Sequence, residues 1–290
     1  MEFYFMLAGS VVRVTGDDPA FNRDAGYLSE FQIPAQKYDR LMECRVVDEL
    51  SKPEGVPVFA DAARRVFACS DGVITYMGTV NGDLSRAYLR VKRQGNRAET
   101  EFLRSAAPRG ISTKPILKAM EVEHMAVENG GFILHASCIE YRGEAIVFTA
   151  PSGTGKSTQA DLWKTCRGAE VINGDRIMIQ PDEEGFRVVG IPFSGSSGIC
   201  KNRTLPLKAI VYLQQSPNNC VTALRGREAF RRVWEGCSVY TWNRKDMETC
   251  METVMQTITQ VPVLRLECTP DVFAVEALEA ELNRRRNYHA

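Results

Sequence analysis

Residues 145–158 read Ala-Ile-Val-Phe-Thr-Ala-Pro-Ser-Gly-Thr-Gly-Lys-Ser-Thr, and no other stretch restricts the fold as much. Ala145 to Thr149 is an apolar, β-type run of the kind a buried strand needs. A glycine loop follows and ends in Gly155-Lys156-Ser157. Ala160, Leu162 and Trp163 then recur at helical spacing. A strand, a glycine loop and a helix in that order aim backbone N–H groups and the helix dipole at one point, which favours a phosphate there. The pattern is close to G-x-x-x-x-G-K-[ST], the phosphate-binding P-loop. One position departs: the first glycine is Ala150. Gly153 and Gly155 still leave the tight part of the loop free in φ.

On this reading Ser152, Gly153, Thr154, Gly155, Lys156, Ser157 and Thr158 surround a nucleotide's phosphates. Lys156 neutralises β- and γ-phosphate oxygens, and the Ser157 hydroxyl ligates Mg²⁺. The run Ala169 to Asp175 reads as a return strand ending in an acid, after room for a helix. P-loop proteins place a Mg²⁺-binding or base carboxylate at such a strand end, so Asp175 is assigned that role. The competing reading of Asn173-Gly174-Asp175 is a surface turn. His135 lies in the strand before the loop strand, where successive strands often pair, and is the second candidate for acid–base work. A strand histidine is also a common hydrogen-bonded core residue. His124 falls beside the apolar stripe of a helix and is read as structural.

The chain has 290 residues, enough for two ordinary domains. Lys plus Arg and Asp plus Glu number 36 each, so no global basic bias points to nucleic acid. No run approaches the roughly 18 apolar residues of a membrane span. Glu2 and the absence of a cleavage pattern argue against a signal peptide. The nine cysteines form no C-x-x-C pair, which fits reduced thiols in a cytoplasmic protein better than disulfides or a zinc site. Cys138 and Cys268 sit in apolar runs and are expected in the core.

Two regions are expected. Residues 1–108 are β-rich, with strands at Phe3–Leu7, Ser10–Val14, Val66–Cys69, Val73–Gly78 and Arg86–Lys92 separated by turn formers. Tyr88, Arg90 and Lys92 alternate with Leu89 and Val91, as on a strand with one wet face. Ser105 to Ser112 reads as a connection, and Pro115 to Asn129 as one helix closed by Gly130-Gly131. Residues 109–290 form the second domain. Its strands are expected at Phe132–Tyr141, Ala145–Thr149, Glu170–Asn173, Arg176–Gln180, Phe186–Val189, Leu207–Gln214, Val221–Leu224 and Pro262–Glu267. Its helices are Lys156–Cys166, Arg227–Glu235, Lys245–Gln260 and Asp271–Arg286. The hairpin predicted across Pro181 to Gly185 makes the sheet mixed. The fold class is therefore α/β: a P-loop nucleotide-binding domain with a mixed sheet flanked by helices, preceded by a small β-rich, α+β N-terminal domain. Gly190 to Arg203, rich in glycine and serine, reads either as a lid with Lys201 and Arg203 near phosphates or as a plain surface loop. Arg284 to Arg286 suits a helix C-terminus.

Taken together, Leu134-His-Ala-Ser, Ile146 to Ser157 and Val171-Ile-Asn-Gly-Asp-Arg-Ile resemble the HPr kinase/phosphorylase superfamily, which shares its nucleotide fold with ATP-dependent phosphoenolpyruvate carboxykinase. His135, Ser152, Gly153, Gly155, Lys156, Ser157 and Asp175 fall on matching positions. Pro206 to Leu213 looks like the strand after that family's substrate loop. The resemblance covers about residues 112–282 and implies an ATP- and Mg²⁺-dependent kinase. Its acceptor would be a hydroxyl of a peptide, protein serine or small molecule, with Lys156, Asp175 and His135 catalytic and Ser157 and Asp175 on the metal. The departures also have implications. The first Asp of the family's Asp-Asp pair, its general base, is Gly174, and the downstream metal-binding signature is missing. A catalytically impaired nucleotide-binding regulator or scaffold of the same fold is the alternative. No membrane or nucleic-acid partner is expected, and a homo-oligomer is among the assembly states left open.

Overall fold

In the second half of the chain, strand and helix follow one another as the apolar periodicities dictate. In the first half, strands follow strands. The structure is a computed structural model and describes residues 2–16, 26–106 and 113–286. The chain divides into two units, Met1–Met125 and Ala126–Ala290.

The first unit contains β1 (Glu2–Leu7), β2 (Ser10–Gly16), β3 (Gln32–Ile33), β4 (Arg40–Val47), β5 (Val56–Ala60), β6 (Arg64–Cys69), β7 (Gly72–Met77), β8 (Leu89–Gln94) and β9 (Arg97–Leu103). Among the described residues they form one sheet in the order β3-β1-β2-β4-β9-β8-β7-β6-β5. β2 and β4 pair in parallel, as do β4 and β9, and the other neighbours are antiparallel. Four of these strands, β3, β4, β5 and β9, lie where no strand is predicted. Two of them, β4 and β9, are rich in charge, and register explains β9: Glu101 lies opposite Arg90 and Glu99 opposite Lys92. Opposed charges of this kind stabilise a sheet without an apolar pattern. Arg90 corrects the expectation of a wet face, because it is buried and pairs with Glu101 at 3.4 Å.

The single helix expected over Pro115 to Asn129 is two helices, α1 (Thr113–Ala119) and α2 (Val122–Glu128). Between them Glu121 takes φ +49°. Its buried carboxylate receives Arg93 Nε at 2.7 Å and Thr75 Oγ1 at 3.3 Å. These contacts also explain why the division of the chain falls after Met125, later than the expected boundary at 108. Most of the expected connection, residues 107–112, lies outside the described residues.

The second unit contains β10 (Phe132–Tyr141), β11 (Glu144–Thr149), α3 (Lys156–Arg167), β12 (Glu170–Asn173), β13 (Arg176–Asp182), β14 (Gly185–Gly190) and β15 (Thr204–Gln215). β16 (Cys220–Leu224), α4 (Gly226–Trp234), β17 (Cys237–Ser238), α5 (Arg244–Gln260), β18 (Val263–Cys268) and α6 (Val272–Arg286) complete it. β10 and β15 are long enough to join two pairing sets. The first part of β10 pairs with β13, which leads through β14 to the start of β15. The later parts of β10 and β15 flank β11, with β18 and then β16 beyond β15. β11–β15 and β15–β18 are parallel and the remaining pairs are antiparallel, so the sheet is mixed, as the β13–β14 hairpin requires.

Alternation sorts the strand residues onto two faces. Ile146 and Phe148 of β11, with Ala209 and Val211 of β15, pack against Ala160 and Trp163 of α3 and Val275 and Leu278 of α6. Val147 and Ile210 face the other way, into a core with Ala229 and Val233 of α4 and Val254 of α5. Helices therefore cover both faces, the arrangement that makes near-continuous apolar strands stable. Trp163 is fully buried and meets the Tyr141 ring edge-on at 5.0 Å, which fixes α3 against the sheet.

Candidate active site

β10 organises the site. β11 and β12 both run antiparallel to it on opposite edges, so their C-terminal ends arrive at the same level. Thr149 lies opposite Ala136, and Asn173 opposite Cys138. The glycine loop leaves the first of these ends, and the Gly174-Asp175 turn leaves the second. Two cross-links hold the level. Ala136 N–H donates to Asp175 O at 2.9 Å, and the buried Ser137 hydroxyl donates to Lys156 O at 2.8 Å. Thr149 Oγ1 donates to His135 O at 3.1 Å.

The loop and α3 follow from their residues. Gly155 stands at the N-cap with φ 117°, a conformation closed to side-chain-bearing residues, and lets the chain turn directly into the helix. Lys156 is the first helical residue and is buried. Its ammonium curls into the loop and donates to Ala150 O at 2.9 Å and Pro151 O at 3.3 Å. Burial pushes the Lys156 pKa down, and the negative charge of Asp175 partly offsets that. Ser152, Gly153, Ser157 and Thr158 are exposed along the same loop and first turn, and Thr154 is half-buried.

His135 and Asp175 come together within electrostatic reach of Lys156. His135 Nδ1 is 3.4 Å from Asp175 Oδ1, and Arg176 Nε is 3.8 Å from Oδ2. The hydrogen bond from His135 holds the Asp175 carboxyl below its ordinary value against the opposing effect of burial, and the positive charges of Arg176 and Lys156 add to it. Asp175 is therefore a carboxylate at neutral pH.

Asn173 is fully buried and was not singled out from sequence. Its Oδ1 accepts from Asp175 N–H at 2.8 Å and Arg176 N–H at 3.0 Å, while its Nδ2 donates to Ile191 O at 2.9 Å. The signal was the Asn-Gly-Asp turn composition, which here aims Asp175 instead of merely turning the chain. Lys201 and Arg203 do not join the site. Lys201 pairs with Glu170, and Arg203 pairs with Glu140 at 2.7 Å, because those strand carboxylates are the nearer opposite charges.

Beside the loop opens a cleft of about 640 Å³, within the range of small-molecule sites. Thr154, Thr158, Gln159, Gln215, Cys268 and Pro270 contribute to its lining. Gln159 is buried, its Nε2 donates to Cys268 Sγ at 3.4 Å, and its Oε1 is buried without a hydrogen-bond partner. A buried acceptor left unpaired is costly and suits a site that receives a donor. Cys268 is thus a half-buried cleft residue instead of the core residue expected, whereas Cys138 is fully buried. All nine cysteines are free thiols. His124 is buried, in keeping with a structural reading.

Among the described residues no cluster of three or more His, Cys, Asp and Glu side chains is arranged to hold a metal ion. None of their helices is long and apolar enough to cross a membrane.

A family model described as "SynChlorMet cassette protein ScmC" matches residues 114–269. The chain is also similar to the structure of the Hpr(Ser) kinase/phosphatase from Coxiella burnetii, at 11% identity and a TM-score of 0.32, over 55% of this chain and 99% of that one. No curated protein shows significant similarity to the chain.

Proposed function

This chain belongs to the ScmC family of SynChlorMet cassette proteins, and from the chemistry of its own site we propose that it is an ATP- and Mg²⁺-dependent phosphotransferase acting on a hydroxyl. The observation that carries this reading is the buried Lys156 ammonium, held in a glycine loop at the start of α3 on the same level as the His135–Asp175 pair. An ammonium that is desolvated and bonded only to carbonyl oxygens gains strongly from an anionic ligand.

Lys156 would swing from Ala150 O and Pro151 O onto phosphate oxygens, joined by N–H groups of the loop and first helical turn. The cleft beside Thr158 and Gln159 would take the rest of the nucleotide. Ser157 and Asp175 offer a hydroxyl and a carboxylate, the hard oxygen donors that Mg²⁺ accepts when phosphates and water complete its shell. When bound there, the metal would offset charge on the transferring phosphoryl oxygens. His135 would act as the base: with Nδ1–H directed at Asp175, Nε2 is left to accept the acceptor's proton, and the carboxylate stabilises the imidazolium that results. Asp175 orients that ring. The acceptor belongs to the class of peptide, protein or small-molecule hydroxyls.

A second reading has one observation in its favour. Gly174 stands where kinases of the resembled type carry their base, so a nucleotide-binding regulator without transfer would look similar. γ-Labelled ATP supplied with Mg²⁺ and a cell extract separates the two. Label transferred by the wild type and lost in Lys156→Met supports the phosphotransferase, whereas saturable ATP binding with no label on any acceptor supports the regulator.

A further inference from the structure

The segment between β14 and β15 carries Ser194, Ser196 and Ser197 between glycines, and it is fastened to the site at both ends. Asn173 Nδ2 holds Ile191 O at 2.9 Å at the entry. At the exit, Gly174 N–H donates to Ile199 O at 3.2 Å, Lys201 N–H donates to Ile172 O at 2.9 Å, and Asn173 bridges to Cys200. Between these ties the segment lies against Asp175. A Cβ added at Gly195 would come within 2.8 Å of Asp175 Cβ and 3.1 Å of Asp175 Oδ1. A Cβ added at Gly174 would overlap the Ser197 hydroxyl and lie 2.7 Å from Ser197 Cβ. Phe193 places its ring 5.2 Å from the Arg176 guanidinium. Ser197 is exposed, donates to Ser194 O at 2.8 Å and accepts Ile199 N–H at 3.2 Å.

A hydroxyl therefore lies against Gly174, the residue before Asp175, and Gly174 is the residue that makes room for it. We propose that Ser197 is a self-phosphorylation site, the chain's own acceptor for the phosphoryl group of ATP. This rests on the phosphotransferase reading above. Ser197 Oγ forms a bond to the γ-phosphorus as the bond from that phosphorus to the β–γ bridging oxygen breaks. ADP leaves with the electron pair, and the hydroxyl proton passes to His135 Nε2. The geometry is that of one chain acting on itself, because the ties to Asn173 and Gly174 are all intramolecular. The product places a dianion beside the Asp175 carboxylate, and like-charge repulsion there loosens the segment.

The test is the purified full chain incubated with ATP and Mg²⁺, followed by intact mass and localisation by peptide fragmentation, with ATP-induced thermal stabilisation measured alongside. Expected is one added phosphoryl group, on Ser197, formed at a rate independent of protein concentration. It is absent in Lys156→Met and in Ser197→Ala, while Ser197→Ala keeps the thermal shift. Stabilisation by ATP with no phosphoryl group on Ser197 overturns the self-modification and leaves the nucleotide site standing. A rate that rises in proportion to protein concentration overturns the intramolecular geometry. Absence of any thermal shift in the wild type removes the phosphotransferase reading and this site with it.

Discussion

Asp175 is a residue whose pattern was readable and whose setting was not. Its place at a strand end after the glycine loop follows from spacing, but the buried Asn173 amide that fixes its backbone and the His135 ring at 3.4 Å come from long-range pairing with β10. The pair has a pH signature. The folded pKa of Asp175 lies below the ordinary 3.8, chiefly because of the His135 hydrogen bond. A carboxyl depressed in this way contributes stability that is fully present above its unfolded value and is lost as pH falls through the folded value. Wild type should therefore exceed Asp175→Asn in urea midpoint at neutral pH, with the gap closing as pH falls below 3.8. A gap that persists undiminished into that acid range would contradict the assignment. Gly174 shows the limit of reading one residue at a time. From sequence it is a missing carboxylate, whereas in the fold it is a space filled by Ser197.

Elements with a strong apolar period were legible, and those held by charge were not. The strand, loop and helix around Lys156 appear within a residue of their expected bounds because β11 is buried on both faces and α3 has an apolar side against it. β9 was missed because its partners are the arginine and lysine opposite Glu101 and Glu99. Nothing local breaks the helix expected over residues 115–129. The break at Glu121 is imposed by Arg93 and Thr75, which are distant in sequence. The Gly/Ser segment gives a prediction at this scale. Gly174→Asp, which restores the carboxylate of the resembled kinases, collides with Ser197. It should lower stability by about 1–3 kcal/mol, the usual cost of overpacking. Adding Ser197→Gly should recover most of that loss. A fully stable single variant, or a double variant no better than the single, would show that the segment does not rest on Gly174.

At the scale of the molecule, every residue assigned to the candidate site lies in Ala126–Ala290, which has its own two-faced core. The α/β class and the mixed sheet were readable from alternation and the hairpin. The division after Met125 was not, because it depends on what Glu121 contacts. A fragment of residues 126–290 should fold cooperatively and keep the thermal shift with ATP and Mg²⁺. Loss of the shift in a folded fragment would mean that the first unit contributes to the site. The most direct test of the whole account is calorimetric titration of the full chain with ATP in the presence of Mg²⁺, beside Lys156→Met. Saturable, one-site binding by the wild type is expected, with a loss of at least tenfold in affinity in a variant that keeps its circular dichroism, a tenfold change being about 1.4 kcal/mol. Undetectable binding by the wild type, or equal binding by a folded Lys156→Met, would contradict it.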